Sequence, residues 1–370
     1  MYITKTELKN FRNYENLSLD FHRKVNLILG KNAQGKTNLL ESIYVVSIGR
    51  SFRTNKDSDL IKFGSDFARV YTESIRDGEN ETVELIFSKE SKKFAKIDGM
   101  RILKTSELLE HVYIVIFSPE DLKIVKDEPE KRRKFIDREL CQIKPAYYGS
   151  LGNYKRVLNQ RNTYLKEPVV DPSVMDIWDI QMAKYGADVI LQREKFVEKL
   201  NLAASSIHFG ITNGKEHLEI RYAPNISGEE CKENLEEKIY SELRNSFEHD
   251  LKRRTTGRGP HKDDLEFFID GINARNFGSQ GQQRTAALSL KLAEISIIKE
   301  ETGEEPVLLL DDVMSELDIE RQEFLVKSLS DVQLFITTTE IPGILLDKFK
   351  DYLVFEVDGG KVIKKYRKIT

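Results

Sequence analysis

Hydrophobic and polar residues alternate along the first third of the chain, as they do in half-buried strands whose side chains point to opposite faces in turn. Predicted strands cover residues 3–8, 17–21, 25–29, 68–75, 82–87 and 112–117. One segment, at residues 36–46, instead has the helical period and follows the third strand after a short loop. The pattern therefore predicts a strand-rich region that contains one early helix.

Long, charge-rich segments with a helical period replace the short strands after residue 118. Predicted helices cover residues 130–166, 174–206 and 233–251. The third carries a large apolar residue at every fourth position from Leu235 to Leu251, which predicts a face packed in a core. A loop at residues 255–262, with two glycines and a proline, ends this helical region.

Strands and helices alternate again in the last third. Predicted strands cover residues 265–269, 307–310, 334–337 and 353–357, and predicted helices cover 282–300 and 319–329. Such alternation is typical of βαβ units and a parallel sheet. The predicted fold class is α/β, with residues 1–118 and 263–370 as two halves of one domain around a mostly helical insertion at 119–262.

The composition is that of a globular protein, since 370 residues with 39% hydrophobic and 32% charged residues suffice for about two domains. No apolar run approaches the roughly 20 residues that cross a bilayer, and the start has no apolar stretch of signal-peptide type. Cys141 and Cys231 stand alone, which excludes a zinc ribbon or a disulfide scaffold. We therefore expect a cytoplasmic protein with no membrane partner.

The net charge of −3, from 58 basic and 61 acidic residues, gives no global preference for nucleic acid. Basic residues nevertheless cluster at Lys252, Arg253, Arg254 and Arg258, and at Lys131, Arg132, Arg133 and Lys134. The first cluster contains no acidic residue, whereas the second lies among acids. A solvated face explains either cluster as well as a binding surface does.

A phosphate-binding motif, G-x-x-x-x-G-K-[ST], links the predicted strand at 25–29 to the helix at 36–46. It consists of Gly30, Lys31, Asn32, Ala33, Gln34, Gly35, Lys36 and Thr37. The glycines let backbone N–H groups turn toward phosphate oxygens, and the helix N-terminus adds a partial positive charge. Lys36 is expected to reach the β- and γ-phosphates of ATP, and the Thr37 hydroxyl to ligate Mg²⁺.

An apolar strand near residue 310 ends in two carboxylates, Asp311 and Asp312. The metal side of a phosphate loop requires a carboxylate at the end of a buried strand, so Asp311 is expected to hold Mg²⁺. Asp312 would then polarise the attacking water. An acidic helix cap is the alternative for one aspartate alone.

A second anion site is indicated at residues 279–283, where S-Q-G-Q-Q precedes a predicted helix. A serine hydroxyl and backbone N–H groups at a helix N-terminus favour an anion, and a second γ-phosphate site would serve a partner's nucleotide. An ordinary polar N-cap explains the same residues. S-E-L-D follows the acidic strand at 315–318, and a later strand ends in threonines at 337–339.

The order of phosphate loop, helical insertion, S-Q-G-Q-Q, L-L-L-D-D and S-E-L-D resembles the ABC-type ATPase heads of SMC-like proteins. The insertion here lacks a long coiled coil and a C-x-x-C hook. LKNFRNY at 8–14, FSPEDL at 117–122 and GPHKDD at 259–264 extend the likeness over the whole chain, which resembles the RecF family of bacterial recombination-repair proteins. The resemblance implies a P-loop NTPase head of ABC type.

The resemblance further implies a head-to-tail homodimer that forms on ATP and encloses two nucleotides. The residues expected to contact the partner's ATP are Ser279, Gly281, Gln282 and Asp318. Binding to duplex and gapped DNA is implied as well. The family's partners are RecR- and RecO-type mediators, and its role is to help load RecA at gaps in recombinational repair and replication restart.

Three departures from the general ABC pattern predict slow hydrolysis. Asp312 stands where transporters usually have glutamate, which is one methylene longer. Glu120 is a candidate for the missing glutamine and Thr338 for the usual histidine, but a hydroxyl is a poor proton acceptor at neutral pH. We therefore predict a weak ATPase at a composite dimer site, whose hydrolysis times an ATP-driven clamp.

On this interpretation the basic clusters would contact DNA phosphates. The candidates are, first, Lys252, Arg253, Arg254 and Arg258 and, second, Lys131, Arg132 and Arg133. The alternatives are the soluble ATPase subunit of an ABC transporter, which needs no long insertion, and a scaffold that binds ATP without hydrolysis. His261 and Trp178 are predicted to be structural.

Overall fold

The first third of the chain is rich in strands, as predicted, and long helices follow after residue 118. The computed structural model describes residues 1–227, 231–329, 332–340, 343, 349 and 351–369. Its strands are β1 (Tyr2–Phe11), β2 (Tyr14–Asp20), β3 (Val25–Leu29), β4 (Phe67–Arg76), β5 (Glu79–Ser88), β6 (Phe94–Ile97), β7 (Met100–Arg101), β8 (Ile114–Phe117), β9 (Leu218–Ala223), β10 (Asp264–Ile269), β11 (Ile272–Asn273), β12 (Val307–Asp311), β13 (Leu334–Thr338), β14 (Asp351–Asp358) and β15 (Lys361–Ile369). Its helices are α1 (Lys36–Ile48), α2 (Pro129–Ile143), α3 (Pro145–Tyr164), α4 (Pro172–Ile211), α5 (Lys232–Asn245), α6 (Phe247–Arg253), α7 (Ala274–Phe277), α8 (Gln280–Thr302) and α9 (Ile319–Ser328).

The chain divides into two units, one formed by residues 1–122 with 291–370 and the other by residues 123–290. Residues 263–290, which the prediction assigns to the ATPase domain, group here with the second unit. The reason is that β10 pairs with β9 in an antiparallel ladder that runs from Asp264 opposite Ala223 to Ile269 opposite Leu218. None of the helices in the described part of the chain has both the length and the hydropathy that a membrane span requires.

The first unit contains two sheets of different type. One has the order β15-β14-β3-β13-β12-β8, in which β14, β3, β13, β12 and β8 run parallel and β15 is antiparallel to β14. This sheet confirms the predicted βαβ arrangement. The other has the antiparallel order β2-β1-β4-β5-β6-β7. The alternating pattern predicts its longer strands one by one, but alternation alone does not say which strands pair.

Helix α1 packs against strands of both sheets. Most of its residues are buried, and Leu39, Ile43 and Tyr44 are fully buried. A helix that is buried on most sides belongs to the core, and α1 shares one hydrophobic core with strands of both sheets. Consequently the packing of α1 fixes the end of the loop that precedes it.

The second unit is built on helices that the periodicity predicts, with breaks that it does not. The single helix predicted at 130–166 is two helices, because Pro145 disfavours a helical conformation at Lys144, which adopts φ −139° and ψ 91°. The helix predicted at 233–251 also divides, at Ser246. Leu235, Ile239 and Leu243 are buried, which confirms the predicted core face of α5.

Buried ion pairs join the helices of the second unit. Arg161 of α3 donates to Asp179 of α4 at 2.6 Å and to Asp250 of α6 at 2.8 Å. It also donates to the Thr256 hydroxyl at 2.8 Å, which ties the loop after α6 into the network. Removing one partner from such a network leaves an uncompensated buried charge. Arg161 therefore constrains three helices and the start of the basic loop.

A second network holds the GPHKDD segment. Arg193 of α4 donates to Asp137 at 2.8 Å, to Asp263 at 2.9 Å and to the Pro260 carbonyl at 2.7 Å. The Asp263 carboxylate also accepts a hydrogen bond from the Tyr222 hydroxyl. Asp263 therefore fixes the conformation of this loop, so its presence in the GPHKDD motif has a structural explanation.

His261 lies between two partners that fix its tautomer. The Tyr154 hydroxyl lies 2.7 Å from Nδ1, and Nε2 lies 3.0 Å from the Thr256 carbonyl oxygen. Because a carbonyl only accepts, the proton is on Nε2 and Nδ1 accepts from Tyr154. Burial lowers the pKa of His261 from 6.5 to about 4. The neutral ring is thus part of the packed loop, in keeping with its predicted structural role.

This depressed pKa predicts a pH dependence of stability. Between pH 6.5 and about 4, the unfolded chain binds a proton on His261 that the folded chain does not, so the free energy of unfolding falls as pH falls through that window. The loss attributable to His261 is at most about 3 kcal/mol. Urea unfolding at pH 7 and pH 4.5 measures it.

The comparison variant is His261→Gln, whose amide can both accept from Tyr154 and donate to Thr256 but does not titrate. We expect its stability to depend less on pH than that of the wild type. His249→Gln is the matched control, because His249 is exposed in the same unit. Equal pH profiles for wild type and His261→Gln would contradict the assignment.

Candidate functional site

The loop between β3 and α1 wraps around the side chain of Lys36. Lys36 is 4% exposed, and its Nζ donates to the carbonyl oxygens of Gly30 at 2.8 Å and Lys31 at 3.3 Å. A Cβ at Gly30 would lie 2.4 Å from the Val357 carbonyl oxygen, so only glycine fits there. The ammonium group is therefore centred on the loop, where a phosphate cradle requires a cation.

The LKNFRNY segment braces this loop from the N-terminal sheet. Asn13 Nδ2 donates to the Gln34 carbonyl at 3.1 Å, and the Tyr14 hydroxyl donates to the Gly35 carbonyl at 3.0 Å. Gly35 has φ 117°, and a Cβ there would lie 2.6 Å from Asn13 Nδ2. Close packing by these two side chains requires glycine at 35, in addition to any need of a phosphate.

A buried ion pair fixes the same segment to α1. Arg12 donates through Nε and Nη2 to the two carboxylate oxygens of Glu41, at 2.7 Å each. Glu41 is 0% exposed and also accepts from Arg53 at 3.3 Å. A bidentate guanidinium–carboxylate pair fixes distance and orientation together. The motif order of the sequence does not reveal this pair.

The Asp311 carboxylate joins the end of β12 to the phosphate loop. Its Oδ1 accepts from Thr37 Oγ1 at 2.9 Å and from Thr337 Oγ1 at 2.8 Å. Burial raises the pKa of Asp311, and the two threonine hydroxyls oppose that shift. Carboxylate and hydroxyl oxygens are ligands that Mg²⁺ prefers, so Thr37 and Asp311 fit a magnesium ion at this position.

Asp312 leaves β12 in a left-handed conformation, with φ 55°. Its N–H donates to Thr337 Oγ1 at 2.9 Å, and its carboxylate Oδ2 lies 4.0 Å from Lys36 Nζ. The side chain is 37% exposed. The left-handed turn thus places the Asp312 carboxylate beside the Lys36 ammonium, at the solvent side of the loop.

The other predicted catalytic residues are less engaged with the loop. The Thr338 hydroxyl donates to the Glu340 carbonyl at 2.6 Å, so its proton is already committed to the backbone. Glu120 is exposed, three residues after the end of β8. Thr337, which the sequence offers only as one of three threonines, is the residue that contacts Asp311. The register Asp311 opposite Thr337 places it there.

Both segments predicted to meet a partner's nucleotide begin helices. Ser279 and Gln282 form a reciprocal cap: Gln282 N donates to Ser279 Oγ at 3.2 Å, and Ser279 N donates to Gln282 Oε1 at 2.9 Å. Asp318 caps α9 by accepting from Arg321 N at 3.0 Å. Gly281 lies in the first turn of α8. The capping role expected as the alternative for Ser279 is thus present, and Asp318 has a capping role that the sequence motifs do not predict.

Comparison with known proteins shows the family. The model for the RecF/RecN/SMC N-terminal domain matches residues 2–348. The DNA replication and repair protein RecF of Clostridioides difficile strain 630 is 45% identical over 365 residues, 98% of each chain. That of Clostridium botulinum strain Okra is 46% identical over 367 residues, 98% of this chain and 99% of the relative. The chain belongs to the RecF family.

Solved structures agree in fold with this member of the RecF family. The structure of the recombination mediator protein RecF with ATP in the RecFOR pathway matches with a TM-score of 0.90 and 39% identity, over 99% of this chain and 97% of that chain. An SMC head bound to the C-winged helix domain of ScpA matches with a TM-score of 0.56 at 17% identity, over 100% and 98%. The predicted ABC-type ATPase head is confirmed, and the transporter-subunit alternative loses its support.

In this RecF-family chain the two arginines of the second basic cluster are paired inside the protein. Arg132 is 1% exposed and donates from Nε to Asp264 at 2.6 Å and from Nη2 at 2.8 Å, so the prediction of a DNA contact is wrong for Arg132. Arg133 donates to the Asp263 carbonyl at 2.6 Å, and burial lowers its pKa. Lys131 is exposed but pairs with Asp127 at 2.9 Å. Charge in the sequence does not distinguish these internal contacts from a surface.

The first basic cluster, in contrast, is exposed at the end of α6 and in the loop after it. All four of its residues are exposed: Lys252, Arg253, Arg254 and Arg258. Arg253, Arg258 and Lys262 line a cavity of about 550 Å³ in the second unit. Arg258 lies 3.4 Å from Glu242, a partly exposed pair that is worth little in water. These side chains are therefore available to an external phosphate.

The Arg12–Glu41 pair generates a prediction about stability. Arg12→Ala would leave the Glu41 carboxylate buried with a single remaining arginine, so we expect the free energy of unfolding to fall by about 3 kcal/mol. Urea denaturation measures the change. Lys62→Ala is the control, because it removes a surface pair with Glu15 and should cost less than about 1 kcal/mol.

The double variant Arg12→Ala/Glu41→Gln tests the cause of that loss. Neutralising residue 41 should restore part of the stability, since the cost comes from a buried carboxylate that has lost its bidentate partner. A double variant as unstable as the sum of its parts would show that Arg12 acts through packing alone.

Proposed function

We propose that this RecF-family chain is an ATP-dependent DNA-binding clamp that dimerises on ATP, acts in recombinational repair and replication restart, and hydrolyses ATP slowly. One observation carries the proposal: Lys36, Thr37, Asp311 and Asp312 converge on one phosphate loop. The names of its relatives, DNA replication and repair proteins, support the biological role. Work on chromosomal DNA would place the protein in the cytoplasm.

ATP would bind in cis at the loop from Gly30 to Thr37. Lys36 would exchange its contacts with the loop carbonyls for contacts with β- and γ-phosphate oxygens. Thr37 and Asp311 would hold Mg²⁺, which when bound neutralises charge on the phosphates. Support comes from the shared hydrogen bond of these two side chains and from the solved RecF structure that is named with ATP.

Slow turnover follows from the residues around the γ-phosphate position. Asp312 would orient the attacking water, but its side chain is one methylene shorter than glutamate and faces solvent in part. Thr338 already donates its proton to Glu340, and Glu120 is exposed, so neither adds a strong base. Hydrolysis would then limit how long the dimer holds DNA.

The second nucleotide contact would come from the partner copy. Ser279, Gly281 and Gln282 lie at the N-terminus of α8, where the helix dipole favours an anion, and would contact the partner's γ-phosphate. Asp318, at the start of α9, would lie at the dimer seam. Two nucleotides would therefore be enclosed by residues of both copies, and ATP would be required for dimerisation.

DNA would bind through backbone phosphates, which gives salt-dependent and sequence-tolerant affinity for duplex and gapped DNA. The exposed side chains that support this are Lys252, Arg253, Arg254 and Arg258, with Lys131 in a minor role. The RecFOR pathway named for the solved relatives supports RecR- and RecO-type mediators as partners, and loading of RecA at gaps as the outcome.

Sedimentation with ATP, Mg²⁺ and duplex DNA tests the clamp. The wild type should dimerise with ATP, and Lys36→Arg should lose at least about tenfold in ATP affinity and fail to dimerise, since a guanidinium does not replace a buried point charge. Lys24→Arg, an exposed change just before β3, is the control. An unchanged ATP-dependent dimer in Lys36→Arg would contradict the loop assignment.

Asp312→Asn separates hydrolysis from binding in the same experiment. We expect ATP binding and dimerisation to persist while turnover falls roughly hundredfold, so that the dimer is trapped. Phosphate release measures the rate. Normal turnover would remove Asp312 from the catalytic role.

Salt titration of DNA binding tests the basic loop. Arg253→Ala/Arg258→Ala should weaken binding to all sequences alike and lower the slope of log K against log salt by about 1 for each DNA phosphate that is no longer neutralised. Lys327→Ala, an exposed lysine that pairs with Glu323 on α9, is the control. An unchanged slope in the double variant would move the DNA surface elsewhere.

A further inference from the structure

The side-chain amide of Gln282 is held at both ends. Its oxygen accepts from the Ser279 N–H at 2.9 Å, and its Nε2 donates to Glu216 Oε1 at 3.0 Å. The first contact belongs to the helix cap. The second reaches a residue 66 positions earlier in the chain, in the segment between α4 and β9. Because both ends of the amide are engaged, its orientation is fixed before any ligand binds.

Glu216 is in turn held by a buried histidine. Its second oxygen lies 3.2 Å from His208 Nε2, and His208, in the last turn of α4, is 0% exposed. Since a carboxylate only accepts, Nε2 carries the proton and donates. The other ring nitrogen lies 3.3 Å from Ser289 Oγ, on α8. The chain of contacts therefore starts and ends on α8, and passes through α4.

The position of the Glu216 carboxylate requires a physical reason. An acidic side chain next to residues that would contact a γ-phosphate repels that phosphate, so a carboxylate at this position needs a compensating role. Here one Glu216 oxygen is engaged by the buried His208 and the other by Gln282. The contact between His208 and Ser289 already joins α4 to α8. The additional hydrogen bond between Glu216 and the Gln282 amide is therefore not needed to hold the two helices together.

We propose that Glu216 is a positioning residue for the partner-facing end of α8, acting through Gln282 and itself oriented by His208. The inference rests on the proposed function, because it concerns the proposed contact with the partner's nucleotide. Glu216 does not touch ATP. Glu216 holds the Gln282 amide and the Ser279 cap in the conformation that would bind the partner's γ-phosphate. This conformation is therefore already ordered in the monomer, before the partner binds.

The experiment measures ATP affinity in the monomer and ATP-driven dimerisation separately. Glu216→Ala should leave binding of a fluorescent ATP analogue unchanged and weaken the dimer roughly tenfold, as expected for a lost hydrogen bond to a charged group. Glu219→Ala, which removes an exposed carboxylate three positions along the chain, is the matched control. Glu216→Gln keeps an acceptor for Gln282 and should restore most of the dimer.

A double-mutant cycle distinguishes positioning from general stability. If Glu216 acts through Gln282, Glu216→Ala/Gln282→Ala should dimerise no worse than Gln282→Ala alone. Two outcomes would overturn the inference without affecting the proposed clamp function: additive losses of dimer affinity in the double variant, or a Glu216→Ala protein that dimerises like the wild type. A wild type that does not dimerise with ATP would overturn the proposed function itself, and this inference with it.

Discussion

The Asp311 carboxylate is the contact on which the candidate site depends. It lies at the end of β12, accepts from Thr37 at the start of α1, and accepts from Thr337 in the neighbouring strand β13. Three elements that are far apart in sequence are thereby fixed to one buried charge. Burying a carboxylate costs free energy unless its hydrogen bonds are satisfied. The two threonine hydroxyls that satisfy Asp311 therefore fix both the geometry of the site and the packing of these elements.

The second unit meets a similar constraint with ion pairs. Arg161 and Arg193 lie in its interior, each bonded to two aspartates from different helices or loops. Buried pairs of this kind contribute little net stability, but they penalise any arrangement that separates the partners. Their effect is to hold the segment from Thr256 to Asp263 in one conformation. The exposed arginines within this segment and just before it are thus attached to a rigid part of the unit.

Sequence patterns predict the parts of the site that are close in the chain or at a shared sheet edge. Lys36, Thr37 and Asp311 are predictable because parallel strands end on the same side of a sheet. The contact between Thr337 and Asp311 depends on the strand register, which composition does not encode. Arg132 is misassigned because burial depends on the whole packing arrangement. The contacts Arg12–Glu41 and Gln282–Glu216 join distant residues, and no local motif signals them.

A helix cap and an anion contact at Ser279 are compatible, because a hydroxyl has one donor and two acceptor positions. The cap uses Ser279 Oγ as the acceptor for Gln282 N–H, and this leaves the hydroxyl proton for a phosphate oxygen. The capping interpretation and the nucleotide interpretation of the sequence are therefore not alternatives at this residue. The cap orients the donor, and the helix dipole favours the charge that the donor would meet.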